Sequence, residues 1–150
     1  MDFLSAMEIS ASALSAERTR LNIISQNLAN AQTTRTAQGG PYRRKVTVFK
    51  AEPFVYHLER SMDVPPYPPG GDPRRGVLVE GVYEDPTPFR KVYDPSNPDA
   101  DKDGYVLMPN VNTVTEMVDL INAGRSYEAN VTAVNASKRM ALKALEILGR

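Results

Sequence analysis

The run from Leu4 to Thr34 constrains this chain more than any other stretch, because it contains neither proline nor glycine and repeats its apolar residues at a helical period. Met7, Leu14, Leu21 and Leu28 recur every seventh residue, and Ile24 stands three beyond Leu21, which predicts one amphipathic helix with a narrow apolar seam. Serines, Glu17, Arg18, Thr19, Arg20, Asn22 and Gln26 cover the other face. A helix of about 25 residues is nearly 40 Å long, so it needs a neighbour along its seam. It is expected to end near Asn30 or Ala31, with Asn30 as the C-cap. The threonines and glycines of residues 32–41 then read as a turn or extended linker.

A second such pattern closes the chain. Leu120, Tyr127, Val134, Ala141 and Leu148 form one seven-residue series, and Met117, Gly124, Val131, Lys138 and Leu145 form another, broken by its glycine and lysine. Asn112 or Thr113 is placed to cap the start, and Glu116 stands three after Thr113, as in a capping box. The basic residues Lys138, Arg139, Lys143 and Arg150 lie toward the C-terminal end, where cations complement the helix dipole.

Between these helices the character changes. All 12 prolines lie between Pro41 and Pro109, which excludes a long helix there. Short strand-like runs remain at residues 44–50, 54–58, 76–83, 89–93 and 105–108. Residues 62–76 combine proline and glycine and read as a loop. The fold expected is α+β: long N- and C-terminal helices pairing as a coiled-coil-like layer, with a small proline-rich β region between them. Its divisions are 1–36, 37–109 and 110–150.

Several function classes fall away on composition. Lysine plus arginine and aspartate plus glutamate balance at 18 each, so no global field draws in nucleic acid or an anionic membrane. The absence of cysteine removes disulfides, thiolate catalysis and cysteine-based zinc sites. Asp2 and Glu8 spoil a secretory signal, and no apolar run reaches membrane-spanning length. His57 is the single histidine, and no nucleophile motif or phosphate-binding glycine loop accompanies it. No catalytic, cofactor-binding or metal site is therefore assigned.

Asp99-Ala-Asp101-Lys-Asp103-Gly104 does match the first six positions of an EF-hand loop, with Gly104 at the bend. The twelfth position is Asn110, not a bidentate carboxylate, and Pro95, Pro98 and Pro109 exclude flanking helices. An Asx-type turn is the expected structure. The basic clusters Arg43-Arg44-Lys45 and Arg74-Arg75 are read as solvated faces or intersubunit ion pairs. Asn27 and Asn30 are poor interior helix residues, suited to polar contacts at the end of the seam.

These residues carry a resemblance. Residues 17–36, ERTRLNIISQNLANAQTTRT, and residues 105–148, which include PNVN and RSYEAN, are similar to the paired terminal motifs of the bacterial flagellar axial proteins, the rod and hook family. PYRRKVTVF at 41–49 and GVLVEGVYEDPTPFRKVYDPSNPDADKDGY at 76–105 resemble its proximal-rod branch. The resemblance covers almost the whole chain. It implies a structural subunit, not an enzyme, that leaves the cell by the flagellar type III export apparatus without signal cleavage. Its implied place is the basal body, in the periplasmic space.

The implied partners are other copies of the chain, other rod proteins, and the inner-membrane ring with its adapter protein, with no nucleic acid and no membrane insertion. The terminal helices would build a hollow, helically assembled drive shaft that transmits torque. Met7, Leu14, Leu21, Ile24, Asn27, Leu28 and Asn30 of the first helix are then expected at the assembly interface. Their counterparts in the second are Met117, Leu120, Ile121, Tyr127, Asn130, Val131, Val134, Leu145 and Leu148. In the free monomer the terminal helices are expected to be largely disordered. The alternative is an exported coiled-coil adaptor or effector of a type III secretion system, which would be self-contained.

Overall fold

The structure is a computed structural model that describes residues 3–53 and 75–148. Its elements run α1 (Phe3–Ala29), β1 (Lys45–Pro53), β2 (Arg75–Glu84), β3 (Arg90–Tyr93), β4 (Tyr105–Met108) and α2 (Thr113–Leu148). This is an α+β chain with its two long helices first and last. The expected strand at 54–58, His57 and the loop through residue 74 lie outside the described residues.

α1 runs unbroken from Phe3 to Ala29, and the hydroxyls of its serines and threonines bond back to carbonyls of its own preceding turns. Ser10 donates to the Ala6 carbonyl, Ser12 to that of Ile9 and Thr19 to that of Ser15, at 2.8–3.1 Å. The Asn30 amide and side chain both donate to the Gln26 carbonyl, at 3.0 and 2.9 Å, ending the helix where the sequence places its cap. Residues 33–42 then close on themselves. The Tyr42 amide donates to the Thr33 carbonyl (3.0 Å) and the Thr36 amide to that of Gly40 (2.8 Å). Gly39 and Gly40 take φ of +88° and +75°, a conformation that other residues adopt only with strain.

β1 pairs with β2, and β3 pairs antiparallel with β4, Arg90 opposite Met108 and Tyr93 opposite Tyr105. β4 shows the expected period of two, with Val106 buried between exposed Tyr105 and Leu107. The loop joining β3 to β4 is a chain of Asx turns. Asp94 Oδ1 accepts from the Ser96 amide (3.2 Å), Asn97 Oδ1 from the Asp99 amide (3.0 Å), and Asp101 Oδ1 from the amides of Asp103 (3.0 Å) and Tyr105 (2.8 Å). Gly104, at φ +80°, closes this loop, and a Cβ there would lie 2.9 Å from the Tyr93 ring. The Tyr93 and Tyr105 rings meet edge-to-face with centroids 5.3 Å apart.

At the start of α2 Asn112 is the cap, its Oδ1 accepting from the amides of Val114 (3.0 Å) and Thr115 (3.3 Å). Glu116 does not complete a capping box. Its carboxylate turns inward and accepts from Asn27 and Arg44 instead.

The chain forms two compact units whose boundaries pass through both long helices. The first comprises Arg20–Val48 and Gly81–Ala123. The second comprises Met1–Thr19, Phe49–Glu80 and Gly124–Arg150, so far as those segments are described. The first unit contains the buried side chains Ile24, Asn27, Ala31, Val106, Pro109, Val111, Glu116 and Ala123. In the second, among the described residues, Ala16 and Ser137 are buried. There the Ser12 hydroxyl accepts from the Val77 amide of β2 (3.0 Å), beside a cavity of about 340 Å³ lined by Ile9, Ser12, Ala16, Val77 and Val79 among others.

Candidate assembly surface

At the centre of the first unit is a closed polar network. Asn27, on the last turns of α1, is 1% exposed and meets its full hydrogen-bonding capacity. Its Nδ2 donates to the Lys45 carbonyl (2.8 Å) and to Glu116 Oε2 (2.9 Å). Its Oδ1 accepts from the Lys45 amide (3.0 Å) and the Tyr42 hydroxyl (2.9 Å). The end of α1, the first residue of β1 and the first turn of α2 are thus held by one side chain.

Glu116 is fully buried, and Arg44 answers its charge with Nε donating to Oε1 at 2.6 Å. The same guanidinium reaches Asp85 (3.3 Å) and Asp119 (3.6 Å). Asn110, of the PNVN motif, accepts from the Arg44 amide (2.8 Å) and donates to the carbonyls of Asp85 and Thr87, both at 3.2 Å. Arg43 donates to the same two carbonyls and lies 4.4 Å over the Phe89 ring. The expectation that Arg43 and Arg44 serve solvated faces or intersubunit pairs is corrected: both bond inside the chain, Arg44 because a buried glutamate needs its counter-charge close by and Arg43 because the Asp85 and Thr87 carbonyls and the Phe89 ring receive it.

The electrostatics follow from this packing. Burial alone lowers the Arg44 pKa, but the hydrogen bond and charge of Glu116, then those of Asp85, outweigh it and leave the group raised. Burial, helped by the charges of Glu116 and Glu84, pushes the Tyr42 phenol up, so it stays protonated and donates to Asn27. Asp85 is lowered, first by the Thr87 hydroxyl and amide and then by Arg44.

In the Asp-rich loop Asp101 bonds within the loop and Asp99 bonds to the turn that follows α1. Asp101 accepts two backbone amides as above, and Asp99 Oδ2 accepts from the Thr34 hydroxyl at 2.7 Å. Among the described residues no cluster of histidine, aspartate or glutamate is placed to hold a metal ion.

The other face of α2 is apolar and uncovered. Val114, Met117, Val118 and Ile121 lie at i, i+3, i+4 and i+7, and are 51–68% exposed. Nearer the end of the helix Met140 and Ile147, seven apart, are exposed, and so are Leu142 and Leu145 on roughly the opposite face. Exposed apolar stripes of this kind mark interaction surfaces.

The remaining residues expected at the interface divide as follows. Met7, Leu14, Leu21, Leu28, Leu120, Tyr127, Val131 and Val134 are half-buried, Ile24 and Asn27 are buried, and Met117, Ile121 and Leu145 are exposed. Asn30 and Asn130 are half-buried and donate back to carbonyls of their own helices, while the side chain of Leu148 lies outside the described residues.

The innermost line of α2 carries Glu116, Ala123 and Ser137, with half-buried Asn130 completing the seven-residue spacing. It is offset by one residue from the Met117 series. A reading that follows large apolar side chains passes over it, because its members are small or polar. The signal available was the placement of NLAN and PNVN, asparagine-rich where helix formers are expected, around a lone glutamate.

Comparison with known proteins gives the class first. Residues 7–35 match the family described as flagella basal body rod protein, and residues 102–147 match the flagellar basal body rod FlgEFG protein C-terminal family. Along the whole chain, the flagellar basal-body rod protein FlgC of Bacillus subtilis is 47% identical over 148 residues, 95% of each chain. Those of Borreliella burgdorferi and Salmonella typhimurium are 43% and 42% identical, covering 99% and 98% of each chain. The chain belongs to the FlgC family of flagellar basal-body rod proteins.

Proposed function

We propose that this protein is a structural subunit of the flagellar basal-body rod that assembles through its terminal helices into a hollow shaft transmitting torque. Membership of the FlgC family makes it a rod subunit. The observation that supports the mode of assembly is the uncovered apolar stripe of α2, Val114, Met117, Val118 and Ile121, together with exposed Leu145. Burying each such side chain is worth about 1.5–3 kcal/mol, so a stripe repeated over many copies gives a stiff, cooperative contact.

In this reading residues 1–36 and 110–150 form the inner assembly layer, pairing as coiled-coil-like helices. Leu14, Leu21, Ile24 and Leu28 pack against Met117, Leu120, Ile121, Val131, Val134, Leu145 and Leu148 within and between subunits. Residues 37–109 form the outer part. The neighbours are further copies and other rod proteins, and the inner-membrane ring with its adapter lies at the base. The subunit reaches the periplasmic space uncleaved through the flagellar type III export apparatus. It acts by assembly, not turnover.

The test is complementation of a flagellated strain lacking its own gene of this family. Met117→Asp with Ile121→Asp is expected to yield soluble protein but no swimming and no complete rods by electron microscopy. Normal swimming would overturn the reading.

A further inference from the structure

We propose that the outward face of the β3–β4 hairpin is a docking surface for a second copy of this chain, seated on the flank of that copy's α2 formed by Val114, Val118 and Arg125. The inference rests on the rod-subunit reading and names what covers a part of α2 that the helix seam leaves over.

The hairpin face is exposed and held in one shape. Lys91 stands opposite Leu107 and Tyr93 opposite Tyr105, and residues directly opposite or two apart share a face of a sheet. All four turn to solvent, Tyr93 furthest, while Val106 between them turns inward and is buried. The two tyrosine rings meet edge-to-face, and Gly104 leaves the Tyr93 ring room that a Cβ would take at 2.9 Å. Asp101 Oδ1 fixes the Tyr105 amide at 2.8 Å. Exposed aromatic rings beside an aliphatic side chain have the composition of an interface centre, and rings already fixed in place lose little entropy on docking.

The seat on α2 is also unclaimed. Met117 and Ile121 are assigned to the leucines of α1, whereas Val114 and Val118 lie on the other flank of the stripe, 68% and 52% exposed. Arg125 continues that flank, since i, i+4 and i+11 fall on one side of a helix. It is exposed and makes no hydrogen bond or ion pair among the described residues. The two valines are about 6 Å apart along the helix, close to the roughly 7 Å between successive residues on one face of a strand. Leu107 therefore meets Val114, the tyrosine pair meets Val118, and the loop beyond Tyr93 reaches toward Arg125.

Charge selects this direction. The loop over residues 94–104 holds four aspartates against one lysine, and the exposed Asp103 carboxylate has no partner among the described residues. The reverse direction would set Arg125 against Lys91. Complementary charges at one end of an apolar contact fix its register. Because the two patches differ, each copy offers its hairpin to one neighbour and its α2 flank to another, a head-to-tail contact that propagates along a helical assembly.

The chain has no cysteine, so the test is cross-linking between two tagged forms, one with Tyr93→Cys and one with Val118→Cys. They are expressed together in a flagellated strain lacking its own gene of this family. A short bismaleimide applied to isolated basal bodies is expected to give a dimer carrying both tags, joined between residues 93 and 118 by peptide mapping. Basal bodies that contain both forms without that link would overturn the contact and leave the rod reading standing. Basal bodies from which even the parent chain is absent would overturn both. A dimer from the Tyr93→Cys form alone would show two hairpins meeting, and would also overturn the contact. If Tyr93→Cys is not incorporated, Leu107→Cys with Val114→Cys gives the same readout. Asp103→Arg and Arg125→Asp are each expected to reduce swimming several-fold and together to restore most of it, and a double variant no better than either single one would overturn the charge pairing.

Discussion

The two units use the same helices to opposite ends. In Arg20–Val48 with Gly81–Ala123, the helix faces turned inward carry asparagine and glutamate whose bonds close within the chain. In the other unit, α1 meets β2 across small residues beside a cavity, and the end of α2 leaves large apolar side chains in solvent. Both behaviours meet on α2 of the first unit, whose inward line closes on Asn27 and Arg44 through Glu116 while Val114, Met117, Val118 and Ile121 on its other face stay exposed. Buried polar groups specify one geometry and tolerate no substitute partner, whereas an exposed apolar stripe accepts any matching surface.

The largest effect on this contrast should come from Arg44→Met. It strands the buried Glu116 carboxylate and is expected to cost about 3–5 kcal/mol of stability, read by denaturant unfolding of the free chain. A loss below about 1 kcal/mol would mean that water reaches Glu116 and the interior is not closed. Asn27→Ala comes next. It leaves the Lys45 amide and carbonyl short of partners, with an expected cost of about 1–3 kcal/mol and faster exchange at Lys45. Asn112→Ala removes the cap of α2 for about 1 kcal/mol. Circular dichroism melts should show that loss while the contrast between units persists.

The smallest effect is the pH dependence of Asp85. Its pKa is lowered in the fold by Thr87 and Arg44, so its contribution is present above the ordinary carboxylate value, roughly pH 4, and is lost as pH falls through the lowered value. Asp85→Asn should therefore lower stability slightly at neutral pH, converge with the parent chain as pH falls through the lowered value, and so flatten the acid side of the stability profile.

Much of this was legible in the sequence. The boundaries of α1 and α2 follow from apolar period and from proline confined to the middle, and β3 and β4 fall where short strand-like runs sit between Asx turns. Gly104 was readable as a bend, since Asp99, Asp101 and Asp103 precede it at turn spacing. The network was not legible, because it joins residues up to 89 positions apart through side chains. Glu116 in particular reads as a capping residue by local spacing. Only its burial against Arg44 reveals that tertiary charge pairing outweighs the local option.

In the rod the exposed apolar side chains of α2 are covered by a neighbour. The chain contains no cysteine, so single variants Ile121→Cys and Leu145→Cys report on those positions alone. The deciding measurement is the rate of maleimide labelling of each in the purified monomer and in isolated basal bodies, with detergent-denatured basal bodies as the reference for full reactivity. Rapid labelling in the monomer and strong protection in the basal body is the result expected. Equal labelling in both would contradict assembly through these helices.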